Sequence, residues 1–240
     1  MIPAATLILM RDVTVPSEIL MVERGARLAF APGAMVFPGG RIEPDDLVVG
    51  RGSVEAAAVA AIRETLEETG LAVALDPMPD GASASVMRAE LHAGARFSEL
   101  LRQRRMTLRL DDLLPFARWC PTFHETRNFD THFFLARAPA GVGAPIADAT
   151  ESVDAYWTTA ADVLARADAG AARIIFPTRR NLKRLAQFAT FEEAARDARA
   201  HSVATIVPWV EDRGGEDWLC IPEDRGYPVL AERLSTVMRG

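Results

Sequence analysis

Three glutamates in one short stretch are the residues of this chain best suited to do chemistry. Glu64, Glu67 and Glu68 stand at positions i, i+3 and i+4, and at roughly 100° per residue they share one face of a helix. Like charges at these spacings destabilise a bare helix, whereas hard cations such as Mg²⁺ or Mn²⁺ prefer carboxylate oxygens and relieve the repulsion. A solvated acidic helix face is the alternative interpretation. The stretch therefore predicts either a metal site or an acidic surface.

The helix that carries these glutamates has a start signal and a stop signal. Ser53 is a candidate N-cap for a helix that opens at Val54, and Gly70 is a candidate C-terminal stop. A small apolar run at 56–62 precedes the charges, so we expect the helix to bury that side and to present its carboxylates on the other. Upstream, the Phe-Pro-Gly-Gly turn at 37–40 can bring its backbone close to a ligand.

These elements together resemble the Nudix box, a glycine followed by a glutamate and then by R-E-U-x-E-E-x-G-U. The matching positions are Gly40, Glu55, Arg63, Glu64, Glu67, Glu68, Gly70 and Leu71. The stretch 55–71 has the spacing of the family, with Thr65 where an aliphatic residue is usual. Gly40 stands further from Glu55 than in the family, so we interpret 41–52 as containing an insertion in the loop before the helix.

The resemblance implies an enzyme that cleaves the pyrophosphate of a nucleoside diphosphate derivative with the help of a metal ion. Glu64, Glu67 and Glu68 would hold Mg²⁺ or Mn²⁺, which neutralises developing charge and acidifies a water. Arg63 would act in catalysis by orienting a glutamate through an ion pair. Glu55 would complete the metal coordination or orient Arg63, and the alternative for it is a first-turn carboxylate favoured by the helix dipole.

Residues outside the box complete the predicted site. A further carboxylate or base usually comes from another loop in this family, and Glu151 is the first candidate for it, with Glu125 as the second. The predicted substrate-binding residues are Arg24, Gly39, Gly40, Arg118 and Arg127. An ordinary exposed acid is the alternative for Glu151, and a surface salt bridge is the alternative for Arg118 and for Arg127.

Two further resemblances concern the substrate. Residues 20–40 resemble the segment before the box in coenzyme A pyrophosphatases, although Ala29 stands where that segment has its second arginine. The wider chain, including the strands expected at 115–119 and 129–134, is similar to the long-insert Nudix group that contains the peroxisomal acyl-CoA diphosphatase. These resemblances imply hydrolysis of CoA or acyl-CoA to 3′,5′-ADP and (acyl-)4′-phosphopantetheine.

Two other functions stay open at this point. The departure at Ala29 is compatible with a Nudix hydrolase of ADP-ribose, NADH or another nucleoside diphosphate derivative. A Nudix-fold binding protein without turnover is the third hypothesis, although such proteins typically lose box carboxylates and this chain keeps them. The substrate is therefore the least determined part of the prediction.

The order of expected elements predicts an α+β protein with the Nudix fold, a mixed sheet sandwiched between helices. We expect a single domain over 1–240, with helical insertions at about 82–106 and a helical and hairpin extension at about 177–240. The arms of that hairpin are expected at 203–210 and 218–221. Apolar residues of the insertion would either cover an acyl or pantetheine arm or belong to the core. They are Leu91, Phe97, Leu100 and Leu101.

Charge and cysteine content indicate which kinds of binding partner and compartment to expect. With 27 basic and 33 acidic residues the net charge is −6, which argues against general binding to nucleic acid or to an anionic membrane. Cys120 and Cys220 form no CxxC pair, which indicates buried thiols and a reducing cytoplasm. We therefore expect a cytoplasmic protein with a small-molecule nucleotide substrate, without nucleic-acid or membrane partners, and leave homodimer formation open.

Overall fold

The computed structural model describes residues 1–26, 31–122 and 128–237. The strands are β1 (Ile2–Arg11), β2 (Glu18–Arg24), β3 (Met35–Val36), β4 (Gly39–Arg41), β5 (Leu75–Asp76), β6 (Thr107–Leu108), β7 (Leu114–Trp119), β8 (Phe129–Arg137), β9 (Ser152–Thr158), β10 (Thr205–Ile206), β11 (Trp209–Asp212), β12 (Asp217–Cys220) and β13 (Ala231–Arg233). The helices are α1 (Asp46–Val49), α2 (Ser53–Thr69), α3 (Gly81–His92), α4 (Phe97–Arg104), α5 (Ala160–Asp168), α6 (Phe176–Leu185), α7 (Phe191–Ala200) and α8 (Leu234–Val237), with a 3₁₀ turn at Leu110–Asp112.

A mixed sheet of eight strands forms the centre of the fold. Its main order is β10-β7-β8-β1-β2-β3, with β4 also paired to β1 and β9 to β2. β1 runs parallel to β8 over its length but pairs with β2 only at the hairpin end, next to Met10 and Ile19. Because β1 and β2 then diverge, the segment 35–41 fills the space between them, β3 pairing with β2 and β4 with β1. This crossing segment carries the Phe-Pro-Gly-Gly turn.

Helices cover both faces of this sheet. Successive side chains of β1 point to opposite faces. Ala5 and Leu7 therefore join the core under α2, α3 and α4, whereas Ile8 and Met10 join the core under α5, α6 and α7. The predicted α+β fold, with a mixed sheet between helices, is confirmed. The assignment of one domain to 1–240 stays a prediction.

Three local features differ from the expectation from sequence. Gly52, not Ser53, is the N-cap residue of α2. The inserted loop at 41–52 contains the short helix α1. The predicted hairpin arm at 203–210 is divided, because β10 joins the main sheet parallel to β7 and only β11 pairs with β12.

The helical insertion is part of the core. All four of its apolar candidates for covering an acyl arm are buried beneath α2, so the core interpretation holds for them. They are Leu91, Phe97, Leu100 and Leu101. Cys120 and Cys220 are buried free thiols, as expected. Among helices of the described ranges, none has the length and apolar character needed to cross a membrane.

Candidate active site

Helix α2 ends where the sequence predicts. Gly70 has a φ of 70°, in the left-handed region that favours glycine, and its N–H donates to the Leu66 carbonyl at 2.9 Å. The predicted exposed acidic face, however, is wrong in part. Glu68 is only 4% exposed and Arg63 only 3%, because the last turns of α2 lie under β4 and the inserted loop.

The glycine pair of the crossing turn allows the backbone to approach these carboxylates. The Gly39 N–H donates to Glu68 Oε2 at 2.9 Å. A Cβ atom on Gly39 would overlap the β1 backbone at Ala5, and one on Gly40 would overlap the Glu64 carboxylate. The backbone of β1 leaves no room for a side chain at Gly39, whereas a side chain at Gly40 would displace the Glu64 carboxylate, and the turn forms one wall of the site.

Arg63 holds two of the three glutamates. Its Nη1 contacts Glu64 Oε1 at 3.0 Å and Glu67 Oε1 at 3.4 Å. The remaining guanidinium edge faces the inserted loop, where Nε and Nη2 contact the two carboxylate oxygens of Asp46 at 3.0 and 2.9 Å. Asp46 is fully buried and was missed from sequence, although the five residues between Gly40 and Asp46 equal the number that the Nudix box has between its glycine and its glutamate.

Glu55 is not brought to this cluster. It lies in the exposed first turn of α2, where its Oε2 accepts the Arg51 backbone N–H at 2.7 Å. Nine residues separate it from Glu64, a rise of roughly 13 Å along the helix. The expectation that Glu55 orients Arg63 is corrected: Asp46 pairs with that arginine instead.

Burial raises the pKa of all three box carboxyls. It raises the pKa of Glu64 to about 7, against the opposing charge of Arg63. The pKa of Glu67 is raised by burial, again against Arg63. The pKa of Glu68 lies well above its ordinary range, through burial first and the charge of Glu64 second. Burial disfavours the ionised forms of these carboxyls, and a nearby cation would favour those forms strongly.

Two residues predicted from sequence outside the box, Arg24 and Glu151, lie within electrostatic reach of the cluster. The negative charge of Glu151 contributes to the raised pKa of Glu64 and of Glu68, and the charge of Arg24 lowers the pKa of Glu68. The pairing of β2 with β9 explains this placement, because Arg24 lies opposite Ser152 at the ends of the two strands. Glu151 itself is exposed.

The two other predicted arginines are not shown at the site. Arg118 makes a two-point ion pair with Asp130, at 2.8 and 2.6 Å, and its predicted contact with the substrate stays a prediction. Arg127 lies outside the described residues, as do Glu125 and Ala29. The roles predicted for Arg127 and Glu125 stay predictions.

Helix α3 supplies two side chains that sequence reasoning did not place at the site. Arg88 donates to the carbonyls of Glu67 and Glu68, at 2.8 and 3.1 Å, and His92 Nε2 lies 3.1 Å from the Glu67 carbonyl. The last four carbonyls of a helix lack partners within the helix, and a cation there is favoured by the helix dipole. Helix α3 therefore fixes the backbone that carries the box carboxylates.

The donor set fits a hard divalent cation. Glu64, Glu67 and Glu68 offer oxygen ligands of the kind that Mg²⁺ and Mn²⁺ prefer. Glu68 is buried, and within the described part of the chain no arginine, lysine or histidine forms an ion pair with it. The side chains as placed form no group of three acidic or histidine residues around a common point in the described ranges. Arg63 Nη1 lies between Glu64 and Glu67 in this arrangement.

A mixed sheet between helices, with a glutamate-bearing helix turned toward a glycine loop, defines the Nudix class of proteins. The family described as "NUDIX domain" matches residues 1–177, and the chain belongs to this family. That region contains the whole of the box as well as Arg24 and Glu151.

Two relatives agree with this assignment. The chain is 28% identical over 132 residues to a Caenorhabditis elegans protein named Putative nudix hydrolase 7, a match that covers 55% of this chain and 43% of that protein. It is 29% identical to a NUDIX hydrolase from Alicyclobacillus acidocaldarius, whose crystal structure superposes with a TM-score of 0.74 over 82% of this chain and 96% of that one. The predicted family is confirmed.

Proposed function

We propose that this protein hydrolyses the pyrophosphate bond of a nucleoside diphosphate derivative in a reaction that depends on Mg²⁺ or Mn²⁺. The observation that carries the proposal is the cluster of box carboxylates at the end of α2, enclosed by the glycine turn. Glu64, Glu67 and Glu68 are the proposed metal ligands. A bound ion would neutralise the non-bridging phosphate oxygens and acidify a water.

The chain's own residues supply the other parts of the reaction. A water oxygen forms a bond to one phosphorus while the bridging P–O bond to that phosphorus breaks. The other half of the substrate, which now ends in a phosphate group, leaves as the second product. Glu151 is the proposed acceptor of the water proton, since its exposed carboxylate acts electrostatically on Glu64 and Glu68. Arg24, whose charge also reaches Glu68, is the proposed phosphate contact. Gly39 and Gly40 would admit the substrate phosphates to the cluster.

The proposed substrate is CoA or acyl-CoA, cleaved to 3′,5′-ADP and (acyl-)4′-phosphopantetheine. Support comes from the resemblance of residues 20–40 to the coenzyme A pyrophosphatase segment, with Arg24 within it. ADP-ribose, NADH or a related dinucleotide is the second candidate, because Ala29 departs from that segment. A non-catalytic binding protein has less support, since every box carboxylate is kept.

A substrate panel tests the proposal. The purified protein is incubated with Mg²⁺ and CoA, acetyl-CoA, a long-chain acyl-CoA, ADP-ribose, NADH or a diadenosine polyphosphate, and products are separated by chromatography. We expect 3′,5′-ADP from the CoA compounds, and its disappearance in the Glu67→Gln variant. Turnover of ADP-ribose or dinucleotides alone would keep the mechanism and contradict the CoA assignment. A folded protein without turnover of any compound would contradict the enzymatic proposal.

A further inference from the structure

The inserted loop contacts the box at its arginine. Asp46 is the first residue of α1, and its carboxylate meets Arg63 edge to edge, Oδ1 with Nε at 3.0 Å and Oδ2 with Nη2 at 2.9 Å. Two parallel charge-assisted hydrogen bonds fix the plane of a guanidinium as well as its place. Since Asp46 is fully buried and Arg63 is 3% exposed, little water competes for these bonds.

The other edge of the same guanidinium faces the proposed metal ligands. Nη1 contacts Glu64 at 3.0 Å and Glu67 at 3.4 Å. A continuous chain of contacts therefore runs from Asp46 through Arg63 to two carboxylates. Any rotation of Arg63 away from Asp46 would also move its contacts with those carboxylates.

Asp46 is itself held rigidly by its neighbours. The Glu43 backbone N–H donates to Asp46 Oδ2 at 2.8 Å. The adjacent Asp45 accepts two hydrogen bonds from Ser98 at the start of α4, at 2.9 Å from the backbone N–H and 2.6 Å from Oγ. Arg63 Nη2 also donates to the Arg41 carbonyl at 2.9 Å. The inserted loop is thus anchored at three points just before the aspartate, at Arg41, Glu43 and Asp45.

We propose that Asp46, supplied by the inserted loop, is the positioning residue of Arg63 and takes the place that the box glutamate Glu55 would otherwise hold. This inference rests on the proposed function of the box carboxylates. Asp46 touches neither substrate nor metal in this account. It acts by holding Arg63, which in turn orients Glu64 and Glu67 for cation binding. Glu55, bonded to the Arg51 backbone in the exposed first turn, has no part in that orientation.

Two matched variants test whether Asp46, and not Glu55, positions Arg63. Asp46→Asn and Glu55→Gln each remove one carboxylate charge with little change in shape. We expect Asp46→Asn to lower kcat about 10- to 100-fold and to weaken Mn²⁺ binding about 10-fold, the range found when partners of metal ligands are removed. KM for the nucleotide should stay within about 3-fold of wild type, and Glu55→Gln should lose far less in both measurements. Mn²⁺ binding is followed by the electron paramagnetic resonance signal of the free ion, which is independent of turnover.

A double-variant cycle separates positioning from general support of the fold. If Asp46 acts through Arg63, then Asp46→Asn should cost less than about 3-fold in kcat when Arg63→Lys is already present, because coupled residues are not additive. Additive losses would overturn the proposal. So would wild-type Mn²⁺ binding in a folded Asp46→Asn variant, or an equal loss in Glu55→Gln.

Arg63→Lys carries the test if Asp46→Asn does not fold. Lysine keeps the charge but cannot make the two-point contact with Asp46. The same loss of kcat and of Mn²⁺ affinity in Arg63→Lys would support the proposal, and wild-type values would overturn it. Glu67→Gln runs beside these variants: if it keeps full turnover, the proposed function fails, whereas its loss together with an unaffected Asp46→Asn refutes only the role of Asp46.

Discussion

The two ends of helix α2 both carry glutamates of the Nudix box, but they lie in opposite environments. The first turn is exposed, and its Glu55 bonds only to a neighbouring backbone N–H among the described contacts. The last turns are enclosed by the glycine turn, the inserted loop and α3, and they bury Arg63 and Glu68. The comparison shows that a match to a motif does not determine the role of a residue. The surroundings of each position do.

The largest expected difference between the two ends is in the pH dependence of stability. A carboxyl whose pKa is raised on folding stabilises the protein while it is protonated, and that contribution is lost as pH rises through the raised value. For Glu64, whose pKa rises from 4.5 to about 7, most of the loss falls between about pH 4.5 and pH 7. It amounts to about 3 kcal/mol for a shift of this size, or several degrees in melting temperature.

Thermal melts of the metal-free protein at pH 5, 6, 7 and 8 check this expectation. The melting temperature should fall across the series, Mg²⁺ should restore it most at pH 8, and Glu64→Gln should flatten the curve. Glu55→Gln, which removes one carboxyl from the exposed first turn, serves as the matched control. A metal-free melting temperature that rises steadily from pH 5 to pH 8 would contradict the assigned environments.

A glycine substitution probes the enclosure of the last turns. In Gly40→Ala the new methyl group would overlap the Glu64 carboxylate, so we expect a loss of about 1–3 kcal/mol in unfolding free energy, with loss of turnover. Gly81→Ala is the control, because a Cβ at that position of α3 meets no atom within 4 Å. Urea unfolding of both variants gives the comparison. Equal stabilities would show that Glu64 does not lie against the turn.

The smallest expected effect concerns the cap on the end of α2. Arg88→Ala removes two hydrogen bonds to the Glu67 and Glu68 carbonyls, so we expect a loss of about 1 kcal/mol and a melting temperature lower by about 2–4 °C. Arg51→Ala, near the exposed first turn, should change the stability by less than about 0.5 kcal/mol. Calorimetry of the two variants tests the contrast. A melting temperature of Arg88→Ala equal to that of wild type would contradict the capping role of Arg88.

Local sequence patterns predicted the grouping of the box glutamates and the end of α2. The 3.6-residue period grouped the three glutamates, and a glycine at the end of the pattern marked the stop that Gly70 makes in the left-handed conformation. The family resemblance suggested Glu151 as a further carboxylate, and its charge contributes to the raised pKa values of Glu64 and Glu68. These features depend on residues close in sequence or on the general fold.

The partners of the box were not predicted in the same way, although the spacing of Asp46 from Gly40 marked it as a candidate. Asp46 lies 17 residues before Arg63, and Arg88 lies 21 residues after Glu67. No periodicity links such pairs, because their contacts depend on how an insertion folds back over the helix. The burial of Glu68 has the same origin. An amphipathic pattern distinguishes core from solvent but does not reveal a polar interface between two covered elements.

The central claim is that the carboxylates of the last turns of α2, and not Glu55, perform the metal-dependent chemistry. The measurement that tests it most directly is Mg²⁺-dependent kcat for Glu67→Gln and Glu55→Gln side by side, on the compound that the wild-type protein cleaves best. We predict a loss on the order of 10²–10³-fold for Glu67→Gln, as for other preorganised electrostatic groups, and a value near wild type for Glu55→Gln. Equal losses in the two variants, or the larger loss in Glu55→Gln, would contradict the account.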